Sequence, residues 1–299
     1  PGTIFLIIAT SFFMKSNERM YNWVISNPKF GKFVKKYLET NKPVVHILTP
    51  CYGSSCFVNY VSCIMATKEL FALYKIPLFI NFCKNDSLIT RARNNLVAKA
   101  MNNPNMTHIL FIDNDITWDP IDILKLLIAD KDLVGGIYPY KNFDWKKLQE
   151  PNAIENILNK KNNTFFKNTD DDRMIQHSIL SYNLNYKTKN IEVTNNLIEV
   201  RHIATGFMLI KRTVIEQLST VYPDTKYVDD INYLNKDEEE FAYALFDCAV
   251  IDKHYFSEDW LFCHRWSQIN GKIYTDISIN LQHTGLQDYD GSLLASLIK

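Results

Sequence analysis

The sequence predicts an α/β protein organised on a doubly wound, mostly parallel sheet. Short apolar runs at 44–48, 77–82, 108–112 and 133–137 read as buried strands, and helical stretches separate them. Polar turns rich in Pro, Gly, Asn and Asp stop the apolar runs, as at Thr49-Pro50-Cys51-Tyr52-Gly53. Strands alternating with helices require crossover connections, and these give parallel sheets covered on both faces.

Taken in order, residues 1–42 form a polar, partly helical lead-in with Trp23, Val24, Phe30 and Phe33 as apolar contacts. The chain opens on Pro1-Gly2-Thr3 without an initiator methionine, as a truncated sequence would, which leaves room for an anchor upstream. The apolar run at 4–13 is short of the roughly 20 residues a membrane helix needs, so a buried strand or interfacial segment is expected. From Pro43 the regular pattern begins and continues to residue 299 as one domain. A helix is expected over 57–73, and another over 88–102. Asp119-Pro120 supplies an N-cap and a first-turn proline for a helix through Ala129. Residues 142–196 are polar and aperiodic and read as a long functional loop or lid. Strand character returns at 197–210, a loop and helix at 229–250, a helix from Ser257, and strand-like sequence at 272–281.

Composition narrows function mainly by exclusion. The 299 residues are 46% hydrophobic and 22% charged, ample for a sizeable core. With 33 basic and 33 acidic residues, nothing favours nucleic acid or an anionic membrane as partner. Six cysteines without a CxxC pair read as free thiols, which favours a reducing compartment. A cytoplasmic or cytoplasm-facing location is therefore expected.

The residues that bear chemistry begin with Asp113-Asn114-Asp115, at the end of the 108–112 run. In a strand, an i, i+2 spacing puts both acids on one face at the carboxyl edge, where open α/β sheets bind ligands. Two such acids suit a hard divalent cation, although a surface turn is the plainer source of a DxD string. On the preceding helix Ile89, Ala92, Leu96 and Ala100 share one face. Arg93 lies at the edge of that face and Arg91 nearly opposite, so Arg93 is the cation placed to reach a buried anion. Asp86 or Ser87 caps this helix or contacts a ligand. Ser257-Glu258-Asp259 is ordinary helix-start chemistry on its own, and a lone His283 is ordinarily a satisfied polar residue.

Thr49-Pro50-Cys51-Tyr52, Ala92-Arg93-Asn94, Asp113-Asn114-Asp115, Ala204-Thr205-Gly206-Phe207, Ser257-Glu258-Asp259 and His283 occur in one order. That ordered set, across 43–285, resembles the metal-dependent nucleotide-sugar glycosyltransferases of the GT-A (Rossmann-like) fold, closest to the family-2-like group. Ser87-Leu88-Ile89-Thr90-Arg91-Ala92-Arg93-Asn94 is similar to Anp1-type mannosyltransferases. The resemblance implies a nucleotide-sugar half over 43–141 and an acceptor half over 142–285. It places Thr49, Tyr52 and Asp86 at the base, Arg93 at the ribose or diphosphate, and Asp113 at the ribose or metal-bound water. Asp115 and His283 would ligate Mn²⁺, with Mg²⁺ as the other choice. Asp259 would be the base in an inverting reaction, and Glu258 an acceptor contact. The implied donor is a UDP-sugar, or else a GDP-sugar, and the acceptor is a glycan, protein or lipid. Two other readings fit parts of the sequence. Asp113-Asn114-Asp115-Ile116-Thr117 fits the DxDxT string of haloacid-dehalogenase-type phosphatases, with Asp113 as nucleophile. A non-catalytic sugar-binding protein would keep the fold alone.

Overall fold

Strict alternation along the central strands sorts their side chains between two helical layers. The structure, a computed structural model, describes residue 34 and residues 38–162, 166–187 and 191–286. The 4–13 run and the lead-in contacts Trp23, Val24, Phe30 and Phe33 lie outside the described residues. The first half of the chain runs β1 (Val45–Cys51), α1 (Val58–Leu73), β2 (Leu78–Lys84), α2 (Ile89–Met101), β3 (His108–Ile112) and the two-residue β4 (Ile116–Thr117). It continues through α3 (Pro120–Ala129), β5 (Leu133–Gly135) and β6 (Pro139–Phe143). The middle holds α4 (Ala153–Asn159), α5 (Asp171–Ile179), β7 (Leu180–Tyr182) and β8 (Asn185–Tyr186). Then come β9 (Leu197–His202), β10 (Phe207–Lys211), α6 (Arg212–Val221) and the short α7 (Lys236–Glu239). The last elements are β11 (Ala249–Ile251), β12 (His254–Phe256), α8 (Glu258–Gln268), β13 (Ile273–Asp276) and β14 (Gln282–His283).

Eight strands form the central sheet in the order β2-β1-β3-β10-β5-β13-β9-β8. β1 pairs parallel with β2 and β3, and β5 with β13; the remaining neighbours pair antiparallel. Strands β9 and β10 thus run against the other six, which share one direction. Leu110 and Ile112 of β3, with Ile47 of β1 and Leu209 of β10, face the layer of α1 and α3. Ile109, Phe111, Leu48, Met208 and Ile210 face the layer of α2, α6 and α8. Period-two alternation against two covered faces is what a doubly wound sheet requires. Each of these side chains is fully buried, contributing about 1.5–3 kcal/mol apiece.

Helix α3 starts as its sequence dictates. Asp119 caps it by accepting from Ile121 N–H at 3.0 Å, the Asp122 side chain reaches back to the Asp119 N–H, and Pro120 takes the first position.

Two expectations are corrected. The 142–196 stretch is not one structureless loop, since it carries the end of β6 and all of α4, α5, β7 and β8. Its acidic run helps explain why: Asp171 and Asp172 occupy the first turn of α5, where the helix dipole favours negative charge. The strand expected over 197–210 is two strands placed apart in the sheet, joined by a crossover at 203–206. Among the described residues, no helix is long and apolar enough to cross a membrane. All six cysteines are free, four of them buried, with Cys51 Sγ 3.4 Å from Cys56 Sγ.

Candidate functional site

Strand β3 stops at Ile112, one residue before the first aspartate, and this changes how the acids point. The Ile116 N–H donates to the Asp113 carbonyl at 3.1 Å, so Asp113-Asn114-Asp115 is a tight turn rather than a strand end. The shared face expected from i, i+2 spacing is therefore lost. Asp113 keeps the parity of Ile109 and Phe111 and faces α2 and α8; Asp115 turns toward β14. Asn114 fixes the turn, donating from its side chain to the Ser55 carbonyl at 2.6 Å and accepting from the Phe57 N–H at 3.2 Å.

Arg93 is the hub on Asp113's side. It is 3% exposed, and its guanidinium carbon lies 5.3 Å from the centroid of the Phe111 ring. Nη2 donates to Asp113 Oδ1 at 3.1 Å, and Nε donates to Glu258 Oε1 at 3.1 Å, joining residues 165 apart in sequence. Burial alone would lower its pKa, but Asp113 and Glu258 hold it above the ordinary arginine value. Nη1 is buried with no hydrogen-bond partner among the described residues. The neighbouring Asn94 clamps the Phe246 backbone through both its amide groups, at 2.7 and 2.9 Å, which fixes α2 beneath the site.

Asp259 lies one residue beyond Glu258 and is 8% exposed. Burial and the Glu258 charge raise its pKa above the ordinary aspartate value, outweighing the Ser257 hydroxyl and Trp260 N–H that bond its Oδ1. Ser257 occupies the N-cap position of α8 but makes no side-chain cap bond; its hydroxyl turns to Asp259 instead.

The second half of the site forms where β14 pairs with β4, His283 opposite Ile116. His283 Nδ1 donates to the Pro139 carbonyl at 2.8 Å, which leaves Nε2 facing Asp115 Oδ2 at 3.4 Å. Lys141 Nζ donates to the same oxygen at 2.6 Å. Burial pushes the Asp115 pKa up, but the neighbouring His283 and Lys141 outweigh it and hold the carboxyl below its usual range. Tyr138 lies between the halves. Its ring is 5.0 Å from that of His283, and its hydroxyl is buried in the field of Asp113, Arg93 and Asp259.

Other expected positions fall differently. Thr49 is fully buried and its hydroxyl bonds Tyr60 at 2.6 Å, so it braces β1 against α1 instead of lining a base. Tyr52 is 73% exposed on the turn after β1 and is free to meet one. Asp86 does not cap α2, whose N-cap is Leu88 without a side-chain cap bond; it accepts from the Leu88 N–H and binds Arg91 at 2.8 and 2.9 Å. Arg91 is thus paired, not simply solvated. Glu258 is turned to Arg93, with 14% of its side chain exposed.

No protein-family model matches the chain. No curated protein sequence matches it. Among solved structures, the chain is similar to A197 from STIV, with a TM-score of 0.44 and 14% identity over 81% of this chain and 86% of that one.

The side chains bear on a divalent cation in two ways. Among the described residues no three His, Cys, Asp or Glu side chains gather as a ready metal centre, and Asp113 is held by Arg93. Asp115 and His283 nevertheless fit as a ligand pair. The Pro139 bond makes Nδ1 the donor, so the neutral ring presents its Nε2 lone pair toward a carboxylate, an arrangement that a cation between them satisfies. Formal charge points the same way. Asp113, Asp115, Glu258 and Asp259 outnumber Arg93 and Lys141 by two, so a diphosphate would meet repulsion without an added cation.

Sequence reading missed Tyr138, Lys141 and the role of Asn114. Gly206 holds a signal for the first: a Cβ there would lie 2.6 Å from the Tyr138 ring. Its carbonyl also accepts from the Asp113 N–H at 3.2 Å. Gly206→Ala is expected to destabilise the fold by about 1–3 kcal/mol through overpacking, seen as a lower urea midpoint at unchanged slope. An unchanged midpoint would show that Tyr138 moves aside freely.

Proposed function

We propose that this chain is a GT-A-type glycosyltransferase that moves a sugar from a nucleoside-diphosphate donor, a UDP-sugar before a GDP-sugar, to an acceptor hydroxyl. The observation that supports this best is the meeting of Arg93, Asp113 and Glu258 beside Tyr138, with Asp115 and His283 on its other side. A buried guanidinium with one unpartnered nitrogen suits a diphosphate oxygen. In an inverting transfer, the acceptor oxygen bonds to the anomeric carbon as the bond from that carbon to the diphosphate breaks. Asp259 takes the acceptor's proton, and its raised pKa makes it a better base than an ordinary aspartate. Arg93 stabilises the charge that grows on the departing diphosphate. Asp115 and His283 would hold Mn²⁺ or Mg²⁺, which supplies further neutralisation of that leaving group. Lys141, with 39% of its side chain exposed, has room to leave Asp115 when a cation binds there.

A thermal-shift screen of UDP- and GDP-sugars, with and without Mn²⁺, tests the proposal. One donor is expected to stabilise the protein in a Mn²⁺-dependent way, by about 2.7 kcal/mol at a hundred times its Kd. Asp115→Ala should lose the Mn²⁺-dependent part. Silence toward every nucleotide sugar would reject the proposal. Release of phosphate from a generic phosphomonoester would favour the phosphatase reading instead.

A further inference from the structure

The segments 139–145 and 173–182 wall a cavity of about 1010 Å³ that opens from the His283 and Lys141 end of the site. Its far wall is built from Trp118, Pro120 and the α1 residues Ala66 and Glu69. Pockets for small ligands run to about 1,000 Å³, so this one stands at the top of that range.

Two features of the wall specify the occupant. Tyr140, Trp145 and Tyr182 line the cavity with 50%, 59% and 42% of their surface exposed, and Phe143 packs against Trp145 at 5.5 Å. Flat rings left half-wet in a concave wall offer stacking faces without forming a dry apolar slot. Between them stand planar hydrogen-bonding groups. Arg173, Gln176 and His177, at i, i+3 and i+4 of α5, share the helix face that borders the cavity, and Asn142 and Asn280 add amides. Formal charge balances, Lys141 and Arg173 against Glu69 and Asp119, so the lining selects for neither an anion nor a cation. A pyranose ring matches this pattern. Its C–H face lies on an aromatic ring, while its equatorial hydroxyls reach amides and guanidinium at the rim. An acyl chain would leave Arg173 and Gln176 facing apolar matter.

The geometry points to this cavity as a binding site for a neutral oligosaccharide, with Trp145 as its main stacking platform and Arg173 and Gln176 as its hydroxyl contacts. The inference rests on the transferase reading only in making that oligosaccharide the acceptor; sugar binding itself stands or falls separately.

The test is titration of the full chain, followed by tryptophan fluorescence, with mannotriose, chitotriose, cellotriose and maltotriose. A hydrophobic peptide and dodecyl phosphocholine below its micelle point serve as contrasts. At least one trisaccharide is expected to shift the emission saturably. Trp145→Ala and Gln176→Ala, checked to melt near wild type, should weaken that sugar's binding at least tenfold by calorimetry. Saturable binding of the peptide or the lipid alone would overturn the inference, as would sugar binding that survives Trp145→Ala. Should Trp145→Ala fail to fold, Gln176→Ala and Arg173→Ala carry the same test from a different element. Oligosaccharide binding in a protein that ignores every nucleotide sugar would keep this site and reject the transferase. Donor binding without any oligosaccharide binding would do the reverse.

Discussion

Asp259→Asn is expected to lower sugar transfer by about 10²–10⁴-fold, the usual worth of a positioned general base, while leaving the fold at least as stable near neutral pH. The geometry gives both halves of the result. Asparagine keeps an oxygen to accept from the Ser257 hydroxyl and Trp260 N–H, but it cannot take a proton from an acceptor. Asp259 is 8% exposed and its pKa is raised by burial and by Glu258. For a carboxyl raised in the folded state, the sign is fixed by linkage. The stability it lends is fully present below the ordinary aspartate value and is lost as pH rises through the raised native value. The wild type therefore carries a penalty at neutral pH that the uncharged amide lacks. Urea melts of both proteins from pH 4 to 8 check this, the gap widening in the variant's favour as pH rises. The transfer rate should climb with pH through a midpoint above the ordinary aspartate range, and that limb should vanish in Asp259→Asn. Wild-type transfer by the variant would remove Asp259 from the chemistry.

Arg93→Ala should have the largest effect on stability, about 3–5 kcal/mol, as expected when one member of a buried ion pair is removed. Deletion leaves Asp113 and Glu258 facing one another without their shared cation. The value should fall toward the lower end, because 29% of the Asp113 side chain is exposed. Arg93→Lys is not conservative here, since one ammonium cannot reproduce a fork that serves both acids. Replacing all three with Arg93→Met, Asp113→Asn and Glu258→Gln should recover much of the loss, showing that stranded charge is the cause. Urea denaturation of the three proteins measures this; a loss below about 1 kcal/mol from Arg93→Ala would put the pair in the class of exposed ion pairs.

How much of this was legible in the sequence depends on whether the signal was local. The bounds of β3, the cap of α3 and the choice of Arg93 over Arg91 follow from runs, caps and helical phase, and the structure places them as read. Arg93 was found because 100° per residue is a local rule. Tyr138 and Lys141 were missed because they sit past β5, where the chain turns back over the site, and nothing in Ile137-Tyr138-Pro139-Tyr140-Lys141 marks that return. The split between Asp113 and Asp115 was misread for a related reason: side-chain parity holds only while the strand lasts, and a turn begins at Asp113. Thr49, read as the start of the turn after the first strand, lies inside β1, where it is fully buried and Tyr60 takes its hydroxyl. The 142–196 stretch hid its elements because they are short and half-exposed, with weak periodicity.

The pairing of β14 with β4 also has a consequence for how this protein is made. Thr117 and Ile116 find Gln282 and His283, and the Thr284 N–H donates to the Asp115 carbonyl at 2.8 Å. A chain emerging from the ribosome carries its aspartates, Arg93 and most of its sheet well before it carries His283. Until that last segment arrives, Asp115 lacks the imidazole placed against it, and contacts this distant in sequence form late. The juncture of Asp115 with His283 is therefore complete only once the chain has been made through residue 284.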